Sequence, residues 1–332
     1  MPPPKSEARQ IAIELCRKHP EHAARGLARM LQERVNGAMT LDACRSMIRK
    51  VFGAHGKNDT KHAEVPRGKR KPGQQVKCPP SIAKPWEPHE IKCKRLGIVS
   101  DIHNPFHAVE AVEPAFRQLK ASKIDHLLLN GDIFDCYPQS FHERRPSKRN
   151  FRDEKKHNIE FLRYIRKLFP KIPITFKLGN HEERWYRWLW EHAPEIGEEP
   201  ELSFEQWYKC DELDIDVVED QRIIMAGKLA IAHGHELGKG MTSPVNPARG
   251  AFLRTLHTIL VGHHHRTSGH CESNMWHDET FVWSTGCLCD MTPEYARINK
   301  WNWGFAQVDI ERGGEFQVTN YRIAKNGNVR AS

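Results

Sequence analysis

DHLLLNGDIFD, Asp125 to Asp135, runs from an apolar stretch into a Gly-Asp turn and a further aspartate. A short apolar run that ends at a glycine reads as a buried strand, and the residues beyond it as the loop at its carboxyl end. The same grammar recurs on both sides. Upstream, RLGIVS is a strand followed by Asp101-Ile102-His103, and AVEAVEPAFRQLKAS between the two strands has helical spacing. Downstream, NIEFLRYIRKLF reads as a second helix and IPITFKL as a third strand, ending in Gly179-Asn180-His181-Glu182. DIDVVED, RIIMAG, KLAIAH, TILVG, TFVWST, FAQVDIE and EFQVTNYRI follow as strands with few helices between them. The front of this region is βαβ in character and the rest is β-rich, which predicts a layered α/β domain with two packed sheets.

The strand ends carry the chemistry. KLAIA is followed by His233-Gly234-His235, and TILV by Gly262-His263-His264-His265, so five strands end in residue types that ligate metals. Each end alone has an ordinary explanation: a cap, a Gly-Asp turn, a polar loop pair or a surface histidine. Their joint occurrence does not. In layered α/β folds the loops beyond the carboxyl ends of strands line one crevice, where groups distant in sequence converge.

The order DIH, GDIFD, GNHE, HGH and GHHH resembles the signature of the calcineurin-like metallophosphoesterase superfamily. The resemblance implies an αββα arrangement, a two-sheet sandwich flanked by helices, that holds two metal ions. It assigns Asp101, His103, Asp132 and His265 to one ion, with Asp132 bridging to a second ion completed by Asn180, His233 and His263, while His264 points elsewhere. His181 resembles the family's non-ligand histidine, which donates to the leaving oxygen or the equatorial charge, and Asp135 is expected to orient it. Imidazole, carboxylate and amide ligands without thiolate suit Mn²⁺ first, then Fe²⁺, Zn²⁺ or Ni²⁺. Two such ions roughly 3.5 to 4 Å apart can bridge a hydroxide and clamp a phosphoryl group for in-line displacement. Cys136 and Leu178 stand where protein serine/threonine phosphatases of the superfamily carry arginines, which weakens a phosphoprotein substrate. Arg184 and His235 are the candidate substrate contacts; the tryptophans of EERWYRWLW are expected to pack inward.

The front of the chain differs in character. Residues 1 to 95 hold 21 Lys and Arg against 9 Asp and Glu, a net +12, and the remainder of the +9 chain is therefore −3. ARQIAIELCRK, AARGLARMLQERV and LDACRSMIRKVF have helical spacing, with Thr40 as a cap and Gly53 as a stop. Three short helices with a turn before the last fit a helix-turn-helix, in which Arg45, Arg49 and Lys50 would face nucleic acid; docking or oligomerisation is the competing use. The expected organisation is a small all-α segment over residues 1–53, a Pro/Lys-rich linker over 54–91 and a catalytic domain over 92–325. This layout is similar to that of phage- and prophage-type metallophosphoesterases.

The composition, 39% hydrophobic and 28% charged over 332 residues, is that of a globular protein. No apolar stretch approaches the roughly 20 residues that span a bilayer. The opening MPPPKSEARQ lacks the apolar core of a secretory signal, so a cytoplasmic location in a bacterial or phage-infected cell is expected, and nine scattered cysteines agree with a reducing compartment. The expected function is a dinuclear-metal-dependent phosphoesterase acting on nucleic acid or nucleotides, with DNA or RNA also met through the basic front and no membrane partner. The alternatives are a phosphomonoesterase for protein or small molecules, and a non-catalytic DNA-binding or scaffold protein. The oligomeric state is left open.

Overall fold

The structure, a computed structural model, describes residues 5–55, 62–68, 78–140, 150–238 and 245–332. It divides into two compact units, Met1–Lys84 and Pro85–Ser332. Most of the basic stretch RGKRKPGQQVK lies outside the described residues.

The first unit is built from α1 (Lys5–Lys18), α2 (Ala24–Arg34) and α3 (Leu41–Val51). Each helix contributes one apolar stripe, and Leu15, Leu27, Leu31, Ile48 and Val51 meet in a single core. Asn36 and Gly37 both take positive φ in the turn before α3, where a glycine costs nothing. Thr40 Oγ1 then accepts the Ala43 N–H and caps α3. Arg45, Arg49 and Lys50 lie on its exposed face. The expected end at residue 53 is too early: Val65 is buried in the same core, and the Glu64 N–H donates to the Val51 carbonyl at 3.0 Å.

The second unit begins with β1 (His89–Ile91), β2 (Arg95–Val99), α4 (Val109–Ala121), β3 (His126–Asn130), α5 (Phe151–Leu168), β4 (Ile174–Lys177), α6 (Glu183–His192), α7 (Phe204–Trp207) and β5 (Ile215–Val218). It continues with β6 (Ile224–Ala226), β7 (Leu229–Ala232), α8 (Pro247–Thr255), β8 (Ile259–Val261), β9 (Ser268–Ser273), β10 (Glu279–Ser284), β11 (Gly304–Ile310), β12 (Phe316–Ile323) and β13 (Val329–Ala331). One sheet has the order β13-β12-β11-β2-β3-β4-β5 and the other β1-β6-β7-β8-β10-β9. The neighbours β2 to β5 are parallel, as are β7 and β8, so their carboxyl ends open in common.

Period-two alternation sorts the apolar side chains between layers. Leu96, Ile98 and Leu128 point between the sheets against Leu229, Ile231 and Leu260. Their neighbours Val99, Leu127 and Leu129 face Ala115, Phe116 and Leu119 of α4 and Leu162 and Ile165 of α5. On the far side, Ala230, Ala232, Ile259 and Val261 pack on Ala248 and Ala251 of α8. The layers are helix, sheet, sheet, helix. Two boundaries change. β1 lies in residues assigned to the linker and pairs in parallel with β6, and Trp86 Nε1–H donates to the Asp220 carbonyl at 3.2 Å, so the domain begins near Pro85. β13 extends it beyond residue 325. Among the described residues no helix is long and apolar enough to cross a membrane.

Candidate metal centre

The residues that follow β2, β3 and β4 in one sheet and β7 and β8 in the other meet at the shared carboxyl edge. Tight turns aim them inward. Asp101, His103, Asp132, His263 and His265 all take φ between 52° and 66°, the sparsely populated left-handed region. Such strain is stored where a site needs it. Gly131, Gly179 and Gly262 let the loops close: a Cβ on Gly262 would stand 2.7 Å from Ser100 Oγ, and one on Gly131 2.5 Å from His233 Nδ1.

Asp132 lies at the centre. Its Oδ2 is 3.2 Å from His233 Nε2 and 4.0 Å from His103 Nε2. Asp101 Oδ1 is 3.2 Å from His265 Nε2, and Asp101 Oδ2 accepts the His263 N–H at 2.9 Å. Asp132, His233 and His263 form one group with metal-ligand spacing, and His103 joins both Asp132 and His265 in neighbouring groups. Among the described residues His264 is in no such group.

The rings are held from behind. His103 Nδ1–H donates to Asp135 Oδ1 at 3.0 Å and His233 Nδ1–H to the Asn130 carbonyl at 2.7 Å, which leaves both Nε2 lone pairs turned inward. Oxygen acceptors on the remote nitrogen fix the tautomer a metal requires. Buried Asp101 Oδ1, Asn180 Oδ1, His233 Nε2 and His263 Nδ1 have no well-formed hydrogen bond, and His103 Nε2 faces His265 Nε2 at 3.2 Å. Inward lone pairs this close are stabilised by a cation or proton between them, and the hard and borderline donors fit divalent ions.

Charge in the site follows from these contacts. Burial alone would depress His233 and His265, yet Asp132 beside the first and Asp101 beside the second raise them to about 10 and about 9. His263, buried and next to His233, falls to about 3. Burial acts against ionisation of Asp101 and Asp132 too, but the surrounding imidazoles hold both below the usual carboxylate range.

His181 lies beside this group, with Nε2 3.8 Å from Asp132 Oδ2. Arg184 Nη2 donates to that Nε2 at 2.9 Å, and Nδ1–H donates to the Asp135 main-chain carbonyl at 2.8 Å. A guanidinium has no acceptor, so Nε2 is the acceptor here and its lone pair is engaged by Arg184. The Asp135 carboxylate is 3.3 Å from His181 Nδ1 but nearer to His103, so it orients both rings rather than His181 alone. Arg184 is buried, with its guanidinium on His181 and the Asp135 carbonyl beside the metal-ligand group. His235 pairs with Glu183 at 3.0 Å. Trp185 is buried, donating to the Leu202 carbonyl, whereas Trp190 is exposed.

Several residues here had no role in the sequence reading. Glu182 accepts the N–H groups of Asp132, Phe134 and Gly179, each at 2.9 Å, and so ties the loop after β3 to the loop after β4. Burial and the charge of Asp132 raise its carboxyl to about 7. Lys177 and Glu236 form an ion pair at 2.7 Å with both side chains buried, and Glu236 also accepts the N–H groups of His233 and Gly234. The segment between β10 and β11 brings Cys289 Sγ to 3.9 Å from His265 Nδ1, and the Trp301 ring packs on His265 at 4.1 Å between centroids. Only the GNHE motif hinted at Glu182; nothing local marks the others.

Residues 94–301 match the calcineurin-like phosphoesterase family. A comparison with curated proteins finds no match. Similar solved structures include vacuolar protein sorting 29 from Cryptosporidium parvum, 16% identical over 72% of this chain and 97% of that one, with a TM-score of 0.41. Yfce, a phosphoesterase from E. coli, is 15% identical over 71% and 97% of the two chains, TM-score 0.35. A dimetal phosphatase from Danio rerio is 10% identical over 70% and 96%, TM-score 0.34.

Proposed function

The chain belongs to the calcineurin-like phosphoesterase family, and from that premise we propose that it is a two-metal phosphoesterase acting on nucleic acid or nucleotides. The observation that carries this reading is the arrangement around Asp132: Nε2 of His103 and of His233 both face its Oδ2, with each Nδ1 tied to an oxygen elsewhere. One carboxylate so placed suits two ions, Mn²⁺ being the first expectation from the donor set. Asp101, His103, Asp132 and His265 would hold one ion, and Asp132, Asn180, His233 and His263 the other. Bound there, two divalent ions supply Lewis-acid polarisation of a phosphoryl group and an acidified water.

The remaining steps belong to the protein. Asp135 keeps His103 and His181 oriented through their Nδ1 atoms. Arg184 exchanges His181 Nε2 for a phosphoryl oxygen as substrate enters, which frees the Nε2 lone pair to take up a proton from solvent and pass it to the leaving oxygen. The basic first unit meets a polyanion, with Arg45, Arg49 and Lys50 as its contacts.

The test loads the full chain with Mn²⁺ and assays aryl phosphate mono- and diesters, then DNA, RNA and nucleotides. Absence of turnover on all of them, in protein shown to bind two ions, overturns the enzymatic reading and leaves a scaffold. His181→Ala should retain metal and lose at least roughly a hundredfold in kcat, the scale of a lost general acid. An unchanged rate removes His181 from the reaction.

A further inference from the structure

A cavity of about 190 Å³ opens beside the metal centre, floored by His103 and Asp135. Phe106 and Tyr137, rings 6.3 Å apart and edge to face, line it. Tyr295 and Arg297 of the β10–β11 segment line it as well. The volume is below the roughly 300 Å³ at which sites for drug-sized ligands begin, so it takes one small ring system. Asp290 and Glu294 also line it. With Asp135 that makes three carboxylates against the one guanidinium of Arg297, an excess that repels a phosphate, so the anionic part of a substrate stays at the metal centre and its neutral part occupies the cavity.

The cavity does not end blindly. Asp290, Thr292 and Arg297 are shared with a wider groove of about 1060 Å³ that carries Trp301, Arg322 and Lys325. The Tyr295 and Trp301 rings lie 6.2 Å apart, and Trp301 packs on His265. Glu110 and Asp290 line the groove as well, so its basic side chains, Arg297, Arg322 and Lys325, outnumber its carboxylates by one, and phosphates would follow the Arg322 and Lys325 side of it. Aromatic faces beside such basic side chains are the means by which proteins hold single-stranded nucleic acid.

We propose that this cavity seats the nucleobase next to the scissile phosphate, stacked against Tyr295, and that the groove beyond it carries the continuing strand when the substrate is a single-stranded oligonucleotide. The inference rests on the phosphoesterase reading and narrows it to esters that bear a planar base. Tyr295 has its side chain largely exposed, so it can be replaced without opening the core.

The experiment compares a nucleoside phosphate ester with the abasic ribose ester, which has the same leaving alkoxide, using the full chain loaded with Mn²⁺. Wild type should prefer the nucleoside ester, and Tyr295→Ala should lower the nucleoside-to-abasic ratio of kcat/KM roughly five- to hundredfold, chiefly through KM, as expected for loss of one base–aromatic stack. Tyr295→Phe should restore the ratio. A ratio near one in wild type, or one that Tyr295→Ala leaves alone, overturns the proposal while the phosphoesterase reading stands. Equilibrium dialysis of the free nucleoside against the same proteins covers the converse case. Binding that is lost in Tyr295→Ala, without turnover of any ester, keeps the cavity and overturns the enzyme; no binding and no base preference overturns the cavity. Arg322→Ala with Lys325→Ala separates the two sources of the base. A rise in KM for a single-stranded oligonucleotide relative to the mononucleotide assigns the groove to a strand, and equal KM changes assign the site to mononucleotides.

Discussion

At Asp132 two imidazoles share one carboxylate oxygen, at 3.2 Å from His233 and 4.0 Å from His103. As the proposed bridge, Asp132 would offset charge at both ion positions, whereas His103 would serve one. Asp132→Asn should therefore weaken both ions together, and His103→Ala chiefly one, as metal counts per chain after dialysis would register. An Asp132→Asn protein that still holds two ions tightly would show that the bridge lies elsewhere. The ligand types were readable in the chain because each follows a strand end. The supporting residues were not: Glu182 was visible within its motif, but its partners are backbone N–H groups of two different loops.

Elements meet at the site through buried polar ties. Lys177, at the end of β4, and Glu236, beyond β7, pair between the two sheets' loops with neither side chain exposed to more than 7%. Burial would raise the Glu236 carboxyl, yet Lys177 draws it down to about 2. Lys177→Met leaves that carboxylate buried and unpaired, which should cost about 3–5 kcal/mol in urea unfolding, and Glu236→Gln added to it should recover part of the loss. An effect below about 1 kcal/mol would mean that water or another cation takes over from Lys177. Element by element, strands with apolar alternation were legible. β9 was not, because it is polar and mostly exposed, with its identity set by antiparallel pairing to β10. β1 was hidden likewise: three residues in a proline-rich stretch become a strand only because β6 offers an open edge.

For the whole molecule, pH and charge give separate tests. His126 is buried against Thr175, with Nε2 2.9 Å from Oγ1, and burial lowers its pKa to about 4 despite Asp125 and Asp216. The folded chain thus keeps it neutral while the unfolded chain protonates it near pH 6.5. Its contribution is present above pH 6.5 and is lost as pH falls towards 4, about 2 kcal/mol by pH 5. His126→Gln should flatten that part of the stability profile in urea unfolding, and an unchanged profile would assign the loss to other groups. The second test follows the charge split of +12 and −3. A chain beginning at Pro85 should keep hydrolysis of a small aryl phosphate, since every candidate ligand lies at or beyond Asp101, but lose most affinity for long DNA. Binding by the full chain should fall steeply with salt through counterion release. Equal DNA binding by both chains would make the first unit a docking element.

The sequence by itself determined the layered class, the strands whose ends carry ligand types, the three front helices and the uneven charge, because periodicity, glycine stops and composition are local properties. Tertiary structure decided what those residues face. The site's long-range contacts, His103 against His265 and Lys177 against Glu236, join residues 162 and 59 positions apart, and no local pattern encodes them. The same holds for Arg184, a candidate substrate contact in the sequence, whose guanidinium tertiary packing sets on His181. It holds also for Tyr295 and Trp301, whose segment between β10 and β11 has no regular pattern and whose neighbours, His265 and the cavity beside it, are set by tertiary packing.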